Sequence, residues 1–182
     1  MKQIVSTKSV LLAFASILSV IIFVRPSFAD LSIKFIESAP KDRFEIKNIG
    51  PCAIPSGQMS INMENSKGGL IFDITAEGAG VEVFQKFEAV TGANKFELIS
   101  PIKDGDNIIS FKTSSLEPNA MISFTIDVDD TLVNSALGQI RVSGNEISGS
   151  SLEYKNMHSE ENLTAIFETN QALIEINCSD KI

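Results

Sequence analysis

The sequence predicts an all-β protein, an antiparallel β-sandwich of immunoglobulin-like or jelly-roll type with at most one or two short helices. Three observations favour this fold class. Apolar and polar residues alternate with a period of two along most of the chain, turn-forming clusters separate the alternating runs, and no long run has the helical period. About ten short strands at close spacing are typical of a sandwich.

The N-terminal segment has the pattern of a signal peptide. Lys2 and Lys8 precede the uncharged apolar run Val10 to Val24, which is shorter than the roughly 20 residues that a membrane span needs. The triplet Ser27-Phe28-Ala29 then offers a small-x-small cleavage site. We therefore expect residues 1–29 to be removed on export and residues 30–182 to form one β-sandwich domain, with no stable membrane span remaining. An uncleaved N-terminal anchor is the alternative, because Arg25 directly follows the apolar run.

The charge of the expected mature chain is strongly acidic. Three of the 15 basic residues and none of the 23 acidic residues precede Asp30, which leaves 12 against 23 and a net charge of −11. Nucleic acids and anionic lipids are bound by patches of Lys and Arg, and no such run occurs. Nucleic acid is therefore excluded as a partner, whereas divalent cations and basic proteins remain compatible with this surface.

Cys52 and Cys178 are an even pair of cysteines in a chain that carries an export signal. Disulfides form and persist in exported proteins, and two cysteines allow only one pairing. The sequence thus favours a Cys52–Cys178 disulfide that encloses nearly the whole domain, with two unpaired thiols as the alternative.

The predicted strands follow the alternation along the chain. Two stretches break it. Val81 to Val90 is compatible with a short helix or a pair of strands, and Asp129 to Leu137 with one or two helical turns. In chain order the predicted strands are LSIKFIES, RFEIKNIG, GQMSINMEN, GLIFDIT, KFELIS, NIISFKT, AMISFTIDV, QIRVSG, LTAIFET and ALIEINC.

The segment FTIDVDDTL, Phe124 to Leu132, contains the Asp-x-Asp-x-Thr pattern that haloacid dehalogenase-like phosphotransferases use for nucleophile and magnesium ligand. That chemistry needs a doubly wound α/β sheet, a lysine for the phosphate and a later acidic pair on the same sheet. Only 55 residues follow Asp127, and they have strand patterns without alternating helices. The pattern is therefore not interpreted as a phosphatase motif.

Two interpretations of the aspartates remain open. In the first, Asp127 and Asp129 alternate with apolar residues and are the solvent-facing side of a strand end. In the second, they form a calcium site with other acidic turn residues, because calcium accepts six to eight oxygens from several loops. The tentative calcium ligands are Asp104, Asp106, Asp127, Asp129 and Asp130.

Catalytic residues are not recognised in the sequence. The single His158 lies in a polar stretch with no second histidine or cysteine beside it, so it is neither a convincing metal ligand nor a triad base. Hydrolysis by a pair of carboxylates is the remaining enzymatic alternative, since any two acidic residues can converge in the fold.

Several segments carry resemblances to known families. DRFEIKNIGPC and SLEPNAMISFTIDV are similar to a strand-turn segment and a later hairpin of bacterial immunoglobulin-like modules, with Asn119 where glycine is usual. RFEIKNIGPC, GGLIFDIT with GAGVEVFQKFE, and FTIDVDDTL resemble small secreted bacterial proteins labelled aggregation factor core. This second resemblance covers about residues 31 to 145. It implies calcium-assisted adhesion at a cell surface or matrix, and it implies no functional residues.

The sequence as a whole favours a secreted, non-catalytic binding or structural module at the cell surface or in the periplasm. Calcium is the one cofactor that the acidic turns suggest, and a protein or cell-surface matrix is the expected partner. A secreted hydrolase with paired carboxylates is the alternative function.

Overall fold

The computed structural model, which describes residues 28–178 except 82, 136 and 140, contains two five-stranded antiparallel sheets packed as a sandwich. This confirms the predicted fold class. The predicted signal peptide lies outside the described residues except for its last two positions, which begin the first strand. The strands are β1 Phe28–Ile36, β2 Asp42–Asn48, β3 Gly57–Asn62, β4 Ile71–Phe72, β5 Glu88–Thr91, β6 Phe96–Leu98, β7 Ile108–Thr113, β8 Met121–Ile126, β9 Val128–Asp129, β10 Ser151–Asn156, β11 Asn162–Ile166 and β12 Gln171–Asn177.

The strand order is β12-β1-β2-β8-β5 in the first sheet and β11-β10-β3-β7-β6 in the second. The strands β4 and β9 form a separate two-stranded ladder. Because β9 follows β8 after a single residue, the chain passes directly from the first sheet into this ladder. The candidate site is built on the β4–β9 ladder.

Period-two alternation produces the core. In β1, Leu31, Ile33 and Phe35 are fully buried, and the antiparallel register sets Phe35 opposite Phe44 of β2. Their ring centroids are 5.1 Å apart, within the range in which aromatic pairs attract each other beyond simple burial. Burial of one face of the inner strands between the sheets supplies the main driving force for the fold.

An aromatic cluster joins the two sheets. Phe124 of β8 lies at its centre, with its ring centroid 5.2 Å from Phe44 in the same sheet and 6.0 Å from Phe111 of β7 in the other. Phe87, which precedes β5, packs against Phe124 at 5.1 Å and against Phe96 of β6 at 6.3 Å. The chain between β4 and β5 is thus anchored in the core at its C-terminal end.

The turns in the two segments that are similar to immunoglobulin-like modules have clear causes. Asn48 is fully buried, and its side-chain oxygen accepts a hydrogen bond from the Gly50 N–H at 3.0 Å, which forms the turn after β2. Asn119 has a φ of 67°, and asparagine tolerates this left-handed conformation better than most residues. The Cys52 and Cys178 sulfur atoms lie at disulfide distance, with Cα atoms 6.0 Å apart, as predicted.

Some local predictions were wrong. The described residues of the two candidate helical stretches, 81–90 and 129–137, contain no helix; the first stretch ends in β5 and the second begins in β9. The described residues of QIRVSG form no strand, whereas the unpredicted β10 is an inner strand of the second sheet, between β3 and β11. The segment of β10 has only Leu152 and Tyr154 as apolar residues, so its periodic signal is short.

Helical structure in the described part of the chain consists of one 3₁₀ turn, Ala93–Lys95. Within those residues, no helix has the length and apolarity required to cross a membrane.

Candidate metal centre

The β4–β9 ladder brings aspartates from two distant parts of the sequence together. The strands pair antiparallel with Phe72 opposite Val128. Asp127 and Asp129 flank Val128 and therefore project to one side of the strand. Asp73 follows β4, and its N–H donates to the Asp127 carbonyl oxygen at 3.2 Å.

Four aspartates at this ladder are buried, and we call them the aspartate cluster: Asp73, Asp127, Asp129 and Asp130. Their exposed fractions are 1%, 4%, 1% and 2% respectively. The interpretation of Asp127 and Asp129 as the solvent-facing side of a strand end is therefore wrong. Alternation identifies the two faces of a strand, but it does not report what another part of the chain places over the second face.

A segment without helix or strand among its described residues lies against the cluster; we call residues 74–87 the covering segment. The N–H of Val81 donates to Asp129 Oδ2 at 2.8 Å, and the N–H of Gln85 donates to the Asp73 carbonyl oxygen at 3.3 Å. These contacts explain why polar positions of a strand end are shielded from water.

Each carboxylate of the aspartate cluster has one buried oxygen that accepts no hydrogen bond from the described groups. These oxygens are Asp73 Oδ2, Asp127 Oδ2, Asp129 Oδ1 and Asp130 Oδ2. The other oxygen of Asp130 accepts from the Leu132 N–H at 2.9 Å. A buried charged oxygen without a partner is costly, and four at one place call for a common partner.

Basic side chains do not supply that partner. Among the described residues the ion pairs are Lys41–Glu88 at 2.7 Å and Arg43–Glu45 at 3.9 Å, and neither includes an aspartate of the cluster. The negative charge of the aspartate cluster is therefore not compensated by a salt bridge within the described chain.

Burial and mutual repulsion shift the ionisation of these groups. Burial, together with the charge of Asp129, raises the pKa of Asp73 to about 6 and that of Asp127 to about 7. Burial also raises the pKa of Asp129, and the charge of Asp130 adds to this effect. Near neutral pH these three carboxyl groups therefore keep protons more readily than ordinary aspartates do, and a bound cation would replace those protons.

Asp42, at the start of β2, is a fifth buried aspartate beside the cluster. Its two oxygens accept hydrogen bonds from the Ser38 N–H at 3.1 Å and the Val128 N–H at 3.2 Å. Burial raises its pKa to about 8, and the charge of Asp127 contributes. Because both oxygens of Asp42 have partners, it holds β9 in place rather than offering a free ligand.

The two aspartates of the acidic turn after β6, Asp104 and Asp106, have different roles. Asp104 is half-buried, and its Oδ1 accepts from the N–H groups of Ile74 at 2.7 Å and Thr75 at 2.9 Å. Its charge also raises the pKa of Asp73, which places it beside the cluster. Asp106 instead caps its own turn, since its Oδ2 accepts from the Lys103 N–H at 2.8 Å.

Asp127, Asp129 and Asp130 thus lie in the aspartate cluster and Asp104 lies beside Asp73, while the side chain of Asp106 has a local role. That these residues bind calcium stays a prediction. Asp73 was not predicted. The signal that would have identified it is an aspartate inside the apolar run GLIFDIT, a position where a charge needs a partner.

Gly80 of the covering segment passes directly over the carboxylate of Asp73. A Cβ atom built on Gly80 would collide with the Asp73 carboxyl carbon and Oδ2. Glycine is therefore required for this close approach of main chain to carboxylate. The approach couples the position of the covering segment to that of the cluster.

The cluster is not a finished coordination shell. In the described residues no three or more His, Cys, Asp or Glu side chains form a group that could hold a metal ion as they stand. The charges of these carboxylates nevertheless act on one another, since, in addition to burial, Asp129 raises the pKa of Asp73 and Asp127, and Asp130 raises that of Asp129. Each also keeps one buried oxygen without a partner among the described groups. Like charges that face each other without a cation separate as far as their rotamers permit.

Other chemistry-bearing features do not join this site. His158 Nε2 is 2.9 Å from Ser56 Oγ in an exposed position. A groove of about 640 Å³ between β11 and β12 is lined by Ile166 and Leu173 among others, and by no residue of the aspartate cluster.

Comparison with known proteins returned no matching family, no matching curated protein and no matching solved structure. The similarity to the aggregation factor core group consequently stays a prediction.

Proposed function

We propose that this protein is an exported, non-catalytic binding module in which the aspartate cluster holds calcium and supports adhesion at the cell surface or in the periplasm. The observation that carries the proposal is the burial of four carboxylates, each with one oxygen that no described group satisfies. One divalent cation satisfies several such oxygens at once and removes their repulsion.

Calcium fits the donor set better than other metals do. The available donors are carboxylate and main-chain oxygens, and calcium takes six to eight oxygens in flexible geometry. Zinc prefers nitrogen and sulfur, but His158 contacts Ser56 and the two cysteines are paired. Magnesium demands near-octahedral geometry, which is harder to reach with carboxylates from three loops.

The ligand set follows from the burial. Asp73, Asp127 and Asp129 supply the carboxylates that lie together beneath the covering segment, and Asp130 and Asp104 adjoin them. The proposal requires these side chains to rotate so that their unpartnered oxygens face one ion. This set keeps four of the five residues expected from the sequence and adds Asp73.

The same burial disfavours the hydrolase alternative. Asp73 and Asp129 form a carboxyl pair of the kind that an acid-base mechanism uses. Each is only 1% exposed, however, and catalytic carboxylates need a path for substrate and water. A binding role requires only that an ion enters.

Export is supported by the close cysteine pair and by the N-terminal pattern. A disulfide between Cys52 and Cys178 suits an oxidising compartment. With its acidic surface, the domain suits a basic protein or a matrix that calcium bridges.

Calorimetric titration of the mature protein with calcium tests the metal site, with magnesium at equal concentration as the control ion. We expect a saturable heat for calcium, and thermal unfolding that shifts upward by several degrees relative to EDTA, because a ligand that binds only the folded state stabilises it. Absence of heat at millimolar calcium, together with an unchanged unfolding temperature, would overturn the proposal.

Adhesion is tested separately with the protein immobilised on beads. Beads exposed to a native envelope preparation in calcium should retain a component that EDTA releases and that beads carrying Asp129→Asn protein do not retain. Retention that is equal in EDTA and in calcium would leave the metal without a role in adhesion.

A further inference from the structure

We propose that calcium in the aspartate cluster sets the conformation of the covering segment, residues 74–87, so that the surface of this segment is ordered by the metal. This inference rests on the proposed function and names how the site would regulate the molecule. It derives from how the covering segment is attached.

Among its described residues, the covering segment packs against the hydrophobic core only at its two ends. Ile74 and Phe87 are partly buried and pack against the hydrophobic core. Between them, the described residues form no helix or strand, and most are exposed, including Val83 with 44% of its surface accessible. A segment whose described residues lack regular structure has little conformational preference of its own.

Aspartates make the remaining attachments. Among the described residues, every hydrogen bond that joins the covering segment to the rest of the chain has an aspartate as its partner. Two of these bonds connect main-chain atoms of Gln85 with main-chain atoms of Asp73 and Asp127. In the other four, an aspartate side-chain oxygen is the acceptor. The side-chain bonds are Val81 N–H to Asp129, Ile74 N–H to Asp104, Thr75 N–H to Asp104 and Thr75 Oγ1–H to Asp104.

A second irregular stretch shows that this attachment is not general. Residues 143–150 also lack helix and strand, yet they are tied to other loops through main-chain groups. The Glu146 carbonyl accepts from the Gly68 N–H at 2.9 Å, and the Gly149 N–H donates to the Phe167 carbonyl at 3.0 Å. These bonds do not involve the aspartate cluster, and neither does the Gly144 N–H, which donates to Glu37 Oε2 at 2.7 Å. This stretch is therefore an internal control.

Electrostatics connects the metal to the segment. Without a cation, the adjacent carboxylates repel one another. They separate most easily by displacing the covering segment, because this segment has few contacts of its own. Gly80 transmits that displacement, because its main chain lies against the Asp73 carboxylate with no room between them. A bound cation draws the carboxylates together and holds the amide donors of Val81 and Thr75 in their places.

Hydrogen–deuterium exchange of the mature protein, compared in calcium and in EDTA, measures this coupling directly. We expect amides of the covering segment, Val81 and Gln85 above all, to exchange at least tenfold more slowly in calcium, while peptides from residues 143–150 change less than twofold. Magnesium at the same concentration should leave the segment unprotected.

Calorimetry on the same samples separates the two ways of failing. Calcium binding by titration with unchanged exchange in the covering segment would overturn the coupling and leave the metal site standing. No calcium binding would overturn the proposed function and this inference together. The comparison uses the unaltered protein, so it does not depend on a variant that folds.

Discussion

Asp129 occupies the central position of the aspartate cluster. Its Oδ2 accepts from the Val81 main chain, its carboxyl group contacts that of Asp73, and its charge raises the pKa of both Asp73 and Asp127. One side chain therefore links the two carboxylates nearest to it and the covering segment. Its buried Oδ1 has no partner in the described chain.

Asp129→Asn should separate metal binding from folding. The amide is nearly isosteric, and its carbonyl oxygen can still accept from the Val81 N–H, while one negative charge is lost. We expect calcium affinity to fall at least tenfold, about 1.4 kcal/mol, and the free energy of unfolding in EDTA not to decrease, because repulsion within the cluster is relieved.

Calorimetric titration and urea unfolding measure the two quantities. Glu153→Gln is the matched control, since Glu153 is exposed on β10 and loses the same charge. Equal calcium affinity in the Asp129→Asn and control proteins would contradict the assignment of Asp129 as a ligand.

Gly80→Ala tests the close approach of the covering segment to Asp73. The added methyl group has to displace the carboxylate or the main chain, and overpacking of this kind costs about 1–3 kcal/mol. We expect lower stability in calcium and weaker calcium binding. Gly144→Ala is the control, because its nearest neighbour would be at 3.4 Å, an ordinary contact. Urea unfolding of the two variants, in calcium and in EDTA, measures their stability and its increase by calcium. Equal losses of stability in the Gly80→Ala and Gly144→Ala proteins would refute the specific role of Gly80.

At the scale of elements, two short strands decide the site. The β4–β9 ladder has two residue pairs, far fewer than the main strands, yet it determines that Asp73 lies beside Asp127. Asp42 supports the ladder from β2 by accepting the Val128 N–H. Isolated two-residue strands are not stable by themselves, so the ladder depends on this support and on burial between the covering segment and the core.

The edge strand β12 is followed by one cysteine of the disulfide pair. Among the described strands it pairs with β1 alone, and the Cys52–Cys178 pair joins its end to the loop after β2. We expect the Cys52→Ser/Cys178→Ser protein to lose up to about 5 kcal/mol of unfolding free energy, since the bridge closes a loop of 126 residues. Urea unfolding of this variant measures the loss, and the unaltered protein under a reductant should match it. Unchanged stability would show that the pair does not form in solution.

At the scale of the whole molecule, the buried aspartates predict an unusual pH dependence in the absence of metal. Burial raises the pKa values of Asp73, Asp127 and Asp42 from 3.8 to about 6, 7 and 8. Between pH 4 and 8 the folded state then holds more protons than the unfolded state does. The free energy of unfolding therefore falls as the pH rises through this window.

Thermal unfolding in EDTA should show a higher midpoint at pH 5 than at pH 8. The increase in the midpoint that calcium causes should have the opposite pH dependence. It should be larger at pH 8 than at pH 5, because fewer protons compete with calcium for the carboxylates. A midpoint in EDTA that rises steadily from pH 5 to pH 8 would contradict the raised pKa values.

Much of the sandwich was predictable because burial between sheets imposes a period of two on the sequence. The buried faces of β1, β2 and β8 follow the alternation of their apolar residues. The disulfide was predictable because two cysteines allow only one pairing. The strand β10 was missed because two apolar residues give too short a pattern, and the candidate helices were wrong because irregular segments also lack alternation.

The sequence by itself determined the fold class, the disulfide pair and the acidic character of the turns, since each depends on local pattern or on composition. The tertiary structure alone decided that Asp127 and Asp129 are buried and that Asp73 joins them. That outcome depends on two contacts distant in the sequence, the pairing of β4 with β9 and the position of the covering segment over both. A carboxylate faces water or a cation according to what lies above it, and no residue next to it in the chain carries that information.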